Sequence, residues 1–235
     1  MLRTITLFIA ATSAAAYAQP AEQAEANARA DAPSWRFDMG SSTRWFRDPS
    51  AIIATNDQLA SFVMSAEHGL GTVELPRGFA LELGVDAMWA NGSAAGSMFQ
   101  TLETNIGTND LLGGVHASVR ALRILAVTAR AQAGASHVDL SIAPSGQPQM
   151  ASVDDGGWAR TLAGSVGAEI EPIAMPQVRL GFGMELGYLA TSGVEMHASP
   201  TNAPDPDRSI ETAYQSIGHL DLDGWTLRIS AHLSF

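Results

Sequence analysis

The chain has 235 residues, which suits one domain of the larger all-β kind. Its 24 acidic residues outnumber 13 basic ones, all arginine, for a formal charge of −11; nucleic acid is excluded as a partner because phosphate binding needs a basic patch. With no cysteine, disulfides, thiolate metal sites and cysteine nucleophiles are excluded as well.

Residues 1–18 read as an export signal: Arg3 supplies the positive start, Ile5 to Ala16 is a short apolar run, and Ala16-Tyr17-Ala18 offers small residues for cleavage before Gln19. That run is too short to span about 30 Å of hydrocarbon comfortably. Residues 19–33 are rich in Ala, Glu, Gln and Asn and lack an apolar face, which predicts a flexible periplasmic segment. The rest, 34–235, is read as a single domain.

From Trp35 onward the dominant signal is period-2 alternation, the mark of a strand with two different faces. Trp35, Phe37, Met39 and Trp45 alternate with Arg36, Asp38 and Arg44. Phe62, Met64, Ala66 and Leu70 oppose Ser65, Glu67 and Gly69. Phe79, Leu81, Leu83, Val85, Ala87 and Trp89 share one face, and Ala80, Glu82, Gly84, Asp86 and Met88 the other. Val115, Ala117 and Val119 oppose His116, Ser118 and Arg120; Val127, Ala129, Ala131 and Ala133 oppose Thr128, Arg130 and Gln132. Leu162, Val166, Ala168 and Ile170 oppose Thr161, Ser165, Gly167 and Glu169. Val178, Leu180, Phe182, Met184, Leu186 and Tyr188 alternate with Arg179, Gly181, Gly183, Glu185 and Gly187. The last strand places Trp225, Leu227, Ile229, Ala231, Leu233 and Phe235 against Thr226, Arg228, Ser230, His232 and Ser234. This predicts that 34–235 forms an all-β, closed, antiparallel up-and-down transmembrane barrel of about eight strands, an outer-membrane β-barrel.

Three features favour a membrane barrel over a soluble one. The apolar face is almost free of charge over about ten residues per strand, whereas the other face carries charge and glycine. Aromatic residues gather at strand ends: Trp35, Trp45, Phe62, Phe79, Trp89, Trp158, Tyr188, Trp225 and Phe235. Connections alternate in length. Those at 75–78, 121–123 and 172–177 are short; those at 47–58, 91–110, 137–157 and 191–220 are long and polar, as short periplasmic turns and long extracellular loops would be. Lipid offers no hydrogen-bond partner, so the first strand must pair with the last.

The terminal run GWTLRISAHLSF, with the signal segment and the alternating strands, resembles the small outer-membrane barrels of the OmpA/OmpX type. The resemblance covers about Trp35 to Phe235 and is one of pattern. It implies recognition by the barrel-assembly machinery through the terminal strand, with Phe235 as the assembly signal. No peptidoglycan-binding domain is expected beside the barrel, so the resemblance does not imply tethering to the cell wall by that route.

The inward face gathers the candidate site: Arg36, Glu67, Glu82, Asp86, His116, Arg120, Arg130, Glu169, Arg179, Glu185, Arg228 and His232, beside Asp38, Arg44 and Glu171. An eight-stranded interior is just wide enough for side chains to fill it, and buried charges must pair. A plugged lumen is therefore expected, with a narrow ion path as the alternative; wide pores need about 16–18 strands. His116 and Ser118 share a strand face, the minimum for a lipid hydrolase, but they point to the lumen and lack an evident orienting acid. Asp154 and Asp155 in the third long connection, and Asp205, Asp207, Glu211, Asp221 and Asp223 in the last, could ligate a divalent cation; their spacing matches no calcium loop, and they read as solvated loop surface. The expectation is a structural or surface-interaction barrel with no catalytic residue, metal or cofactor. Its expected partners are membrane lipid and lipopolysaccharide, the assembly machinery, and a surface ligand met by the loops.

Overall fold

The segment Phe79 to Trp89 shows why these residues form strands: every second side chain is apolar and faces outward, and those between face the axis. The computed structural model describes residues 35–47, 58–98, 101–122, 124–145, 153–174, 178–198 and 215–235. The export signal, the 19–33 segment, Asp205, Asp207 and Glu211 lie outside them.

In chain order the strands are β1 (Trp35–Phe46), β2 (Gln58–Leu75), β3 (Phe79–Met98), β4 (Leu102–Leu122), β5 (Leu125–Pro144), β6 (Val153–Ala174), β7 (Arg179–Thr191), β8 (Val194–Ala198), β9 (Gln215–Leu220) and β10 (Gly224–Ser234). Eight of them close an antiparallel barrel in the order β1-β10-β7-β6-β5-β4-β3-β2, and β8 pairs only with β9. The seam is zipped to its end: the Trp35 amide donates to the Phe235 carbonyl at 3.1 Å, and the Phe235 amide returns the bond at 2.9 Å.

Following cross-strand partners around the barrel reveals the stagger. The path Arg36, Glu67, Asp86, Gly114, Gln132, Ala163, Leu189, Gly224 returns to β1 at Phe46, ten residues beyond its start. Strands so staggered tilt steeply, and side chains far apart in sequence meet across the narrow interior.

The outer surface inverts the pattern of a soluble protein. Phe37, Met64, Val115, Val166, Phe182, Met184, Leu186 and Ile229 are all exposed. Aromatic clusters bracket this band. Trp35, Phe37 and Phe235 stack at one end, with ring centroids 6.3 and 5.9 Å apart. Near the other end Tyr188 meets Trp225 edge-on at 5.5 Å, and Phe62 meets Trp89 at 6.3 Å.

Two stretches expected as irregular loops are largely strand. β3 and β4 pair as far as Met98 and Leu102, and β5 and β6 as far as Ile142 and Val153. The ladder continues past the apolar band because water, once it replaces lipid, accepts polar residues on the outer face: Asn91, Ser93, Asn105, Asp139, Ser141 and Asp154 stand there. The inner face keeps its alternation through Ala90, Ala94, Thr104, Ile106, Val138 and Leu140.

Candidate functional site in the barrel interior

Inward residues stack in three layers, and β1 lists them in order: Arg36 and Asp38, then Ser42 and Arg44, then Phe46. β4 runs the same way in reverse, from Ile106 through Asp110 to His116 and Arg120.

The first layer is charged. Arg130, on β5, is its hub. Its guanidinium donates to Glu67 and to Glu185 (3.0 Å) and lies 3.6 Å from Glu169. Arg36 holds Asp38 through Nη2 at 2.7 Å and Glu169 through Nη1 at 2.5 Å. Hydroxyls complete the shell: Thr128 donates to Glu169 (3.1 Å), Ser165 to Glu185 (3.0 Å) and Ser65 to Asp38 (3.3 Å). Arg228 donates to Ser65 at 2.9 Å and lies 3.8 Å from Asp38. The His116 ring lies across Gly84, where a Cβ would clash with it, and Nε2 is 3.7 Å from Glu67.

Toward the short turns a second group forms around Glu171. Arg120 grips it with two nitrogens, at 2.6 and 3.2 Å, while its Nε donates to Glu82 at 3.2 Å. Arg179 and His232 stand 3.9 and 3.7 Å from the same carboxylate. Bidentate guanidinium–carboxylate geometry is the strong form of such pairs. All twelve predicted site residues thus face the interior, but Asp86 stands apart from the ion pairs and accepts from Gln132.

Above the charges lies a small polar layer: Arg44 donates to Asp110 at 2.5 Å, and Gln132 stands nearby. The third layer is apolar and was not anticipated. Phe46, Leu59, Ile106, Val138 and Leu140 line the inner wall of the external end, and Val194, Met196, Leu220 and Leu222 fill it from the β8–β9 segment. Leu59 is fully buried. The period-2 spacing of Val194 with Met196 and of Leu220 with Leu222 was the available signal. It was masked by the polar residues around it.

The loop acids have another use. Asp223 accepts from the Thr191 amide (2.5 Å) and hydroxyl (3.3 Å), and Asp155 accepts from the His197 amide. Asp155 thus ties β8 to β6, and Asp223 ties the end of β7 to the start of β10 at the hairpin's base, so for these two the expectation of a solvated loop surface is corrected. The His116 and Ser118 side chains both face the interior, away from lipid.

An apolar outer band, eight closed antiparallel strands and a charged interior make this fold a small transmembrane β-barrel. No protein-family model matches the chain, and no curated protein does. Among solved structures the chain is similar to Ail, the attachment invasion locus protein of Yersinia pestis: 12% identity and a TM-score of 0.48, covering 87% of this chain and 100% of that one. It is also similar to the same protein in complex with the heparin analogue sucrose octasulfate, at 11% identity and a TM-score of 0.48 with equal coverage.

Proposed function

We propose that this protein is a closed outer-membrane barrel whose role is structural and whose external strands meet a surface ligand, without conducting solutes. The observation that carries the reading is the pairing of inward arginines with inward carboxylates across the lumen, centred on Arg130 and Glu171. An interior of this width is occupied by its own side chains. Lipid and lipopolysaccharide would surround the apolar band, and the polar outer faces of β3 to β6 would be free for a partner. Residues 1–18 would be the cleaved export signal. Reconstituted into planar bilayers, the purified barrel is expected to give no current above baseline at any voltage. Discrete openings in most insertions would replace this reading by a narrow channel.

The terminal strand would be the handle for the assembly machinery. Phe235→Ala is expected to lower the heat-modifiable barrel recovered from outer membranes, while the purified variant still refolds in detergent. Equal loss in both settings would reduce Phe235 to its stacking on Phe37.

A further inference from the structure

The barrel wall is uneven at its external end. β6 pairs with β7 only from Thr161 onward, so its residues Val153 to Arg160 ladder with β5 alone. Across the barrel, β3 runs on to Met98, beyond its last pairing with β2 at Ser93. β3 to β6 therefore stand as a tall half-wall whose inner face is apolar, with Ala94, Ile106, Val138, Leu140 and Ala159. The β8–β9 hairpin fills this trough with Val194, Met196, Leu220 and Leu222, yet it ladders with no wall strand. An isolated two-stranded hairpin is marginally stable in water, so this one is held by what it packs against.

The floor of the trough is polar and unfinished. Arg44 is the cross-strand partner of Leu59, and Thr108 of Val138, so both arise from rows that the apolar residues occupy. Arg44 and Thr108 are 4% and 1% exposed. Arg44 Nε and Nη1, the Thr108 hydroxyl and Asp110 Oδ1 have no hydrogen-bond partner among the described residues. Buried polar atoms are rarely left so, because each costs free energy unmatched.

We infer that the external half of the barrel is a binding chamber for a single acyl chain with a neutral, hydrogen-bonding head group, which the β8–β9 hairpin occupies until the ligand displaces it. The tail lies along Val138, Leu140 and Ile142, about 14 Å of strand at about 3.4 Å per residue, which suits an extended chain of about ten carbons. The head reaches the floor. Arg44 is already paired with Asp110, and Arg228 lies beside Asp38, so a carboxylate head would meet Asp110 unbalanced. An amide accepts from Arg44 and Thr108 and donates to Asp110. The charged layer below takes no part, so the inference stands apart from the closed-lumen reading.

The cysteine-free chain permits a lock. A Cβ built at Gly157 lies 4.0 Å from the Val194 Cβ, within the range of a disulfide. Decanamide is added to wild-type barrel in lipid nanodiscs, with native mass spectrometry counting bound ligand and hydrogen exchange following the hairpin. A single decanamide is expected per barrel, with faster exchange in 194–198 and 215–220 and none gained in 138–142. The oxidised Gly157→Cys/Val194→Cys barrel should bind none, and dithiothreitol should restore binding. Thr108→Val, which removes only an unpaired hydroxyl, should weaken decanamide about tenfold, the scale of one hydrogen bond. Decanoate should bind more weakly than decanamide. No decanamide on the wild type, or equal binding to the locked barrel, which would put the ligand on the lipid face, overturns the proposal. Unchanged affinity in Thr108→Val, or decanoate as the tighter ligand, overturns the head-group assignment. Should the disulfide not form, binding without faster hairpin exchange in the wild type overturns the chamber equally.

Discussion

Arg130→Met is expected to lower the stability of the barrel by about 3–5 kcal/mol, the usual result of removing one partner from a buried ion pair. The Arg130 side chain is 1% exposed and stands among Glu67, Glu169 and Glu185, which come from three other strands. Methionine is close to it in volume and keeps the unbranched stem, but it stops short of the carboxylates and brings no charge. What remains is three carboxylates facing one another in a dry interior, with Arg36 alone close to two of them. The readout is the urea midpoint for loss of the unboiled gel form in lipid vesicles. Arg130→Lys keeps the charge but not the planar fork that reaches several carboxylates at once. It should cost about 1–3 kcal/mol, the scale of hydrogen bonds lost beside charged groups. Adding Glu67→Gln and Glu185→Gln to Arg130→Met should restore much of the loss, because the penalty comes from orphaned charge. A single Arg130→Met variant as stable as wild type would show that the interior is hydrated enough to screen its carboxylates, and the closed-lumen reading would fall with it.

The lipid-facing half of the molecule was legible because lipid imposes a one-residue rule: every second side chain between the rims must be apolar. β3, β7 and β10 obey it without exception, so their faces could be assigned from residue identity alone. Which inward charges meet was another matter. Alternation places Arg36 and Glu169 on the same interior surface, but only the ten-residue stagger brings together two residues separated by 133 positions. Stagger is a property of the closed sheet and leaves no local trace in any strand. The external half was hidden for the opposite reason. Above the membrane the outer face turns polar and the inner face apolar, so Ile106, Val138 and Leu140 continue the pattern with its sense reversed. A reading tuned to apolar-out alternation takes such segments for loops. The β8–β9 segment adds a second difficulty, since its apolar residues are buried by the barrel wall and not by each other.

Met184→Arg should be nearly as damaging as the loss of Arg130, for a reason outside the protein. Met184 is 52% exposed on β7, flanked on its face by Phe182 and Leu186 and paired with Ala168 and Ile229. Tyr188 and Trp225 bound this face toward the external end, and Phe235 toward the other, so position 184 lies near mid-bilayer. An arginine on the lipid face at that depth costs about 2–4 kcal/mol, falling toward zero near the interfaces. Asn105→Arg supplies the control. Asn105 also points outward from a barrel strand and is exposed, but it lies on the β4 extension beyond the apolar band. A surface change of this kind is expected within about 0.5 kcal/mol of wild type. Both variants put the same side chain on the outer face of the same sheet, so β propensity and strand pairing largely cancel between them. The difference in urea midpoint between vesicle-inserted barrels therefore reads the medium around the strand. A large gap that shrinks in short-chain detergent micelles, where water reaches the band, would tie the penalty to the bilayer core. Equal tolerance of both arginines in vesicles would mean that the band of Phe182, Met184 and Leu186 does not face lipid, and the membrane assignment would have to be abandoned.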